Sequence, residues 1–114
     1  MQEDFSTETI NDILIIRLNM MRATIKEAQE FKKNLTSAIQ NGNKKIIIDF
    51  TQCSFVDSSI IGVIVTTAKE LRNKNGEIKG IIAEGTLLNM FAQTGLERVF
   101  KYYPDQQTAL LSFE

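Results

Sequence analysis

Histidine is absent from the 114 residues, and cysteine and proline occur once each. Without histidine there is no Ser-His-Asp or Cys-His relay and no imidazole to ligate a metal. The single Cys53 excludes an internal disulfide and any multi-cysteine zinc cluster. One proline and no low-complexity stretch leave no linker, so residues 1–114 read as one domain. No apolar run approaches the ~20 residues that span a bilayer, and the acidic start Met1-Gln2-Glu3-Asp4 is unlike a signal peptide. Charge of one sign is missing too: 13 Lys and Arg face 14 Asp and Glu, net −1, against the basic footprint of a nucleic-acid protein. The expectation is a cytoplasmic protein that binds no nucleic acid and does not insert into membranes, with a monomer as the default state.

What is present is 43% hydrophobic and patterned. Phe5–Ile10 and the nearly continuous apolar Ile13–Leu18 suit two strands, joined at Asn11-Asp12, residue types that tolerate positive φ. Thr24 and Glu27 match a capping box, and Ile25, Ala28, Phe31, Leu35, Ala38 and Ile39 then recur at helical spacing up to Gly42. Lys32 and Lys33 lie off that stripe, as a solvated face would. Ile46–Phe50 reads as a strand buried on both faces. A helix over Ser58–Asn73, a strand over Ile78–Ala83 and a helix from Thr86 to Gly95 follow. Val99–Tyr102 makes a short edge segment, and Pro104 is expected to open a last short helix. Strands and helices alternate after the hairpin, which predicts an α/β domain with right-handed crossovers.

The segment Asp49 to Gly62 runs from the end of a buried strand, through a short loop, into a helix start. Open α/β sheets place their functional sites there. Asp57 is suited to cap the helix, with Ser58 and Ser59 in its first turn. A phosphate on Ser58 would bring about 1.5 to 2 negative charges to free N–H groups at the positive end of a helix dipole, so the fold can tolerate it. The alternative is that Asp-Ser-Ser is only a capping cluster. On a helical wheel of ~100° per residue, Ile61, Ile64, Val65, Ala68 and Leu71 form the inward stripe. Ile60 falls at its edge and Val63 points away, so these two, beside the serines, form a candidate partner patch. Catalysis is not expected: no base is available to activate Ser58, and no phosphate-binding or dinucleotide glycine motif occurs. Asp49, Asp57 and Glu84 are the one carboxylate set for a magnesium ion, but they serve equally as caps and turn residues. Asp49 is expected to end its strand structurally and Cys53 to be a small buried residue. No cofactor is expected.

Asp49-Phe50 with Phe55-Val56-Asp57-Ser58-Ser59 and Gly62-Val63 resembles the phosphorylation motif of the STAS domain family, whose bacterial members include the anti-sigma factor antagonists. Leu88, Phe91, Thr94-Gly95-Leu96 and Val99-Phe100 resemble that family's third helix and the turn to its last strand. The resemblance implies a mixed sheet of about five strands covered by about four helices on one face. It implies a switch module that, unphosphorylated, binds a GHKL-type serine kinase that is itself an anti-sigma factor, and so frees a sigma factor for transcription. The kinase would phosphorylate Ser58, and a PP2C-type phosphatase would reverse it. Asp57, Ser59, Ile60, Val63 and Arg22 would form the recognition surface. Two departures stand out. Ile60-Ile61-Gly62 replaces the family's Gly-Leu-Gly, and Met20-Met21-Arg22 replaces an acidic motif after the second strand. Arg22 is either a phosphate- or acid-attracting residue or an ordinary solvated arginine, while Met20 and Met21 are expected to pack at the core or its rim. A second implied role is a constitutive subunit or scaffold of a transport or stress-sensing complex, in which Ser58 need not be modified.

Overall fold

The computed structural model describes residues 3–114. Strands β1 (Phe5–Ile10) and β2 (Ile13–Leu18) form an antiparallel hairpin, in register from Phe5 opposite Leu18 to Ile10 opposite Ile13. Its two turn residues, Asn11 and Asp12, have φ of 50° and 65°. There follow β3 (Arg22–Ala23), α1 (Ile25–Gln40), β4 (Lys45–Asp49), β5 (Phe55–Val56), α2 (Ser58–Arg72) and β6 (Glu77–Ile81). The chain then adds α3 (Thr86–Thr94), a 3-10 turn (Leu96–Arg98), β7 (Lys101–Tyr103) and α4 (Gln106–Leu111). The main sheet has the order β1-β2-β4-β6-β7, parallel throughout except at β1. β3 and β5 pair in parallel as a separate two-stranded ribbon.

Strand alternation divides the core in two. Ile16, Leu18, Ile46, Ile48 and Ile78 face α1, α2 and α3, meeting Phe31, Leu35, Ile64, Leu71 and Phe91. Ile13, Ile15, Ile47 and Ile81 point to the opposite face, where Ala109 of α4 covers them. The expected α/β fold with five main strands and four helices is therefore present, with one correction: three helices lie on one face and α4 lies on the other. Covering both faces is what makes the centre of β4 continuously apolar. Pro104 is also corrected, because Asp105 caps α4 through the Thr108 N–H at 2.8 Å and Pro104 precedes that cap.

Close approaches fix the β6–β7 side of the sheet. A Cβ on Gly80 would come within 2.5 Å of Phe100 Cζ, so glycine there leaves the space that Phe100 fills. Phe100 in turn meets Phe50 edge-on, with ring centroids 6.4 Å apart. Lys79, the neighbour of Gly80, is buried beneath α4. Its ammonium donates to the Ser112 carbonyl and hydroxyl, each at 2.9 Å, and lies 4.2 Å from the Phe113 ring centroid.

Candidate functional site

The loop after β4 is held in shape by its own backbone. Asp49 ends the strand: its carboxylate pairs with Arg17 Nε at 3.3 Å and accepts the Thr51 N–H at 2.9 Å. Four residues on, the Cys53 thiol donates to the Phe55 carbonyl at 3.3 Å and is buried, which pushes its pKa above the ordinary value. The Met21 carbonyl accepts the N–H groups of Ser54 (2.8 Å) and Phe55 (3.2 Å), and the Ala23 carbonyl accepts that of Asp57 (3.3 Å). These bonds zip the loop to the segment before α1, so α1 and α2 begin side by side.

Asp57 holds both helix starts. Its Oδ1 accepts the Ser59 N–H at 3.0 Å and the Ile60 N–H at 3.4 Å, capping α2. Its Oδ2 accepts the Ile25 N–H at 3.0 Å, the first amide of α1. One carboxylate thus sits at the positive ends of two helix dipoles. Glu27 completes the start of α1 by accepting the Thr24 N–H at 2.8 Å. The amides of Ser59 and Ile60 are therefore already engaged, which corrects the expectation that a phosphate on Ser58 would find them free. Ser58 itself is exposed at the first position of α2, and its hydroxyl has no hydrogen-bond partner among the described residues.

The surrounding residues divide differently from the sequence reading. Ile60 is fully buried, so it cannot present a branched side chain to a partner. The buried stripe of α2 is Ile60, Ile64, Thr67, Ala68 and Leu71, with Ile61 and Val65 half-buried. The helix packs on α1 as well as on the sheet, and this rotates the buried arc by about one residue from the expected Ile61 and Val65 edge. For the same reason Val63 does not point away into solvent. It is half-buried against the core and lines a groove of about 290 Å³ between α1 and α2, with Ser59, Gly62, Thr67, Lys32 and Thr36. Met21 and Ile25, expected to be packed, are each 72% exposed and belong to the segments zipped to the site. Ile25 stands at the first position of α1, before the helix has swung over the sheet. Met20 is half-buried against the core.

Arg22 is exposed, its guanidinium carbon 4.2 Å from the centroid of the Phe55 ring, the residue it pairs with across the β3–β5 ribbon. A cleft of about 190 Å³ opens beside the loop, lined by Met21, Phe50, Cys53, Ile82, Glu84 and Leu87 among others. Asp49, Asp57 and Glu84 are not assembled into a common site, and the described residues contain no group of three His, Cys, Asp or Glu placed to hold a metal ion. No helix among them is long and apolar enough to cross a membrane.

The sequence model of the STAS domain matches residues 4–109. The chain belongs to the STAS domain family. Among solved structures it is similar to a Thermotoga maritima protein assigned as an anti-sigma factor antagonist, with 24% identity and a TM-score of 0.87 over 95% of this chain and 92% of that one. It is also similar to the anti-sigma factor antagonist SpoIIAA in its unphosphorylated form, with 22% identity and a TM-score of 0.73 over 96% of each chain. The phosphorylated form of SpoIIAA from Bacillus, a cell fate determinant, matches at the same identity and TM-score over 96% of this chain and 99% of that one. At these identities the likeness carries the fold: a STAS domain built as the anti-sigma factor antagonists are. The β3–β5 ribbon, the bond from Asp57 across to Ile25 and the Arg22–Phe55 stack had no usable sequence signal, since each strand of the ribbon has two residues.

Proposed function

We propose that this STAS domain is an anti-sigma factor antagonist switched by phosphorylation of Ser58, a binding module rather than an enzyme. Unphosphorylated, it binds a serine kinase of the GHKL type that is also an anti-sigma factor, and so frees a sigma factor. Phosphorylation of Ser58 ends that binding, and a PP2C-type phosphatase restores it. The observation that carries this reading is the contrast between neighbours: Asp57 is clamped to three backbone amides, while the Ser58 hydroxyl beside it is exposed and unpartnered. The cap stabilises the helix start whether or not the serine is modified. A phosphate therefore changes the surface without dismantling the fold, adding about 1.5 to 2 negative charges next to a fixed carboxylate.

The burial of Ile60 supports the same reading. The glycine that the family carries at that place is not missed at the surface, because the isoleucine that replaces it turns into the core. The recognition surface is then Asp57, Ser59, Val63 and Arg22, extended by the exposed Met21 and Ile25. Single exposed apolar residues are ordinary, but two of them beside an exposed serine suit a surface that a protein partner covers.

The test uses the serine-kinase anti-sigma factors of the native cell, purified and assayed one at a time. One of them is expected to transfer phosphate from ATP to the wild-type protein and not to Ser58→Ala. The same kinase should bind Ser58→Asp at least tenfold more weakly than wild type. Equal binding of Ser58→Asp and wild type, with no transfer by any kinase, would favour a constitutive subunit or scaffold of a transport or stress-sensing complex.

A further inference from the structure

The proposed phosphoserine lacks an obvious partner in its own helix. Asp57 already holds the Ser59 and Ile60 amides and the first amide of α1, so three of the backbone donors that would ordinarily receive an anion there are engaged. A dianion added beside that carboxylate needs a cation from elsewhere. The elements packed around it carry four: Arg22 on β3, Lys26 in the first turn of α1, Lys32, which lines the α1–α2 groove with Ser59, and Lys33, which lines a separate surface of α1 with Glu30 and Ser37. Glu27, the one acidic residue in the first turn of α1, is turned onto Thr24.

Arg22 is distinguished from the lysines by its present state. Like Lys26 and Lys32 it has no carboxylate partner among the described residues, but unlike them its guanidinium rests on the face of an aromatic ring, that of Phe55. An exposed cation–π contact of this kind is worth less than a bidentate guanidinium–phosphate pair, so a phosphate can outbid it. The placement favours the exchange. Arg22 and Phe55 are register partners on the ribbon, their neighbours Ala23 and Val56 are buried beneath it, and Ser58 follows three residues after Phe55. Side chains in a helix lean toward its N-terminus, so a group on Ser58 leans back toward the ribbon. Lys32 lies on the groove side with Ser59.

We propose that Arg22 is the phosphate-binding residue of the switch: in the phosphorylated protein its guanidinium leaves the Phe55 ring and pairs with the phosphate on Ser58. This rests on the reading of Ser58 as the phosphoacceptor. Its consequence is that phosphorylation alters two features of the surface together. The serine becomes anionic, and the Phe55 ring, covered by the guanidinium before, is uncovered. A partner fitted to the unmodified face then loses both its charge match and its shape match.

The test places phosphoserine at position 58 of the full chain during synthesis and follows the phosphate by phosphorus NMR against pH. The second phosphate ionisation, about 6 in a free phosphoserine, is expected lower in the wild-type background than in Arg22→Gln by about half a unit. Arg22→Lys should restore only part of the difference, having one point charge in place of a planar fork. Lys26→Gln and Lys32→Gln should leave the titration within about a tenth of a unit of wild type. The Phe55 ring protons should shift on phosphorylation in the wild type and not in Arg22→Gln. Titrations that coincide in wild type and Arg22→Gln, or a shift produced by either lysine variant and not by Arg22→Gln, would overturn the proposal. Because phosphoserine is installed during synthesis, this result is independent of whether the cell modifies Ser58. Failure here leaves the switch standing without its clamp.

Discussion

Asp57 Oδ2 accepts the backbone N–H of Ile25 across 32 residues of sequence, at 3.0 Å, while Oδ1 caps α2. The two helices that frame the candidate site therefore start from one carboxylate. Motion of either helix start is felt at Ser58, the residue after Asp57, which ties the exposed hydroxyl to the most constrained backbone of the region.

Replacing Asp57 tests this clamp. Loss of an N-cap costs typically about 1 kcal/mol, and here a second helix loses its acceptor as well, so Asp57→Ala should destabilise the fold by about 2 kcal/mol. Asp57→Asn keeps one acceptor oxygen and should lose about half of that. Urea denaturation measures both; a loss below about 0.5 kcal/mol in Asp57→Ala would show that the bridge contributes little.

Ile60 separates core from surface. As a buried side chain its truncation to alanine should cost about 2 to 5 kcal/mol, whereas Ile25→Gln, at a highly exposed position, should change stability by less than about 0.5 kcal/mol. The same Ile25→Gln change should weaken binding of the partner kinase. A cost below about 1 kcal/mol for Ile60→Ala would mean that α2 is rotated as the helical wheel suggested, with Ile60 at the edge of the buried stripe.

Two glycines make opposite predictions. A Cβ on Gly62 meets nothing within 4 Å, so Gly62→Ala should stabilise α2 by about 0.5 to 1 kcal/mol. A Cβ on Gly80 meets Phe100 at 2.5 Å, and Gly80→Ala should cost about 1 to 3 kcal/mol through overpacking. Thermal unfolding distinguishes them by sign.

Burial holds the Cys53 thiol above its ordinary pKa of 9.0. The folded chain therefore keeps that proton more tightly than the unfolded chain. Its contribution to stability is complete below pH 9.0 and is lost as the pH rises from there through the raised folded value. Urea midpoints taken near pH 8 and again near pH 10.5 should fall more in wild type than in Cys53→Ala. Equal falls would place the alkaline loss in other groups.

Much of this architecture is legible in the sequence because its signals are local. Asn11-Asp12 adopts the positive φ that a two-residue hairpin demands, Glu27 reaches back to Thr24, and Asp57 caps α2. Each is decided within a few residues. What escaped is decided by packing between segments. The wheel for α2 separates apolar from polar residues but does not say that α1 lies along one flank, and that neighbour is what draws Val63 and Thr67 inward and leaves Ile61 and Val65 half-buried. The side of the sheet taken by α4 is likewise invisible locally, since Ala109 and the alternate strand residues Ile15, Ile47 and Ile81 meet only in the fold. At the site, Asp57 and Ser58 could be picked out by their place at a strand–loop–helix junction. Met21, Ile25 and the Arg22–Phe55 stack could not, because the ribbon that assembles them joins two short segments more than thirty residues apart.

The central claim is that Ser58 carries a reversible phosphate. The direct measurement is intact mass and peptide mapping of the protein purified from its native cells, before and after phosphatase treatment, across growth conditions. The account predicts a fraction heavier by one phosphate, mapped to Ser58 and removed by the phosphatase. Phosphate on Ser59 alone, or none under any condition, would contradict it.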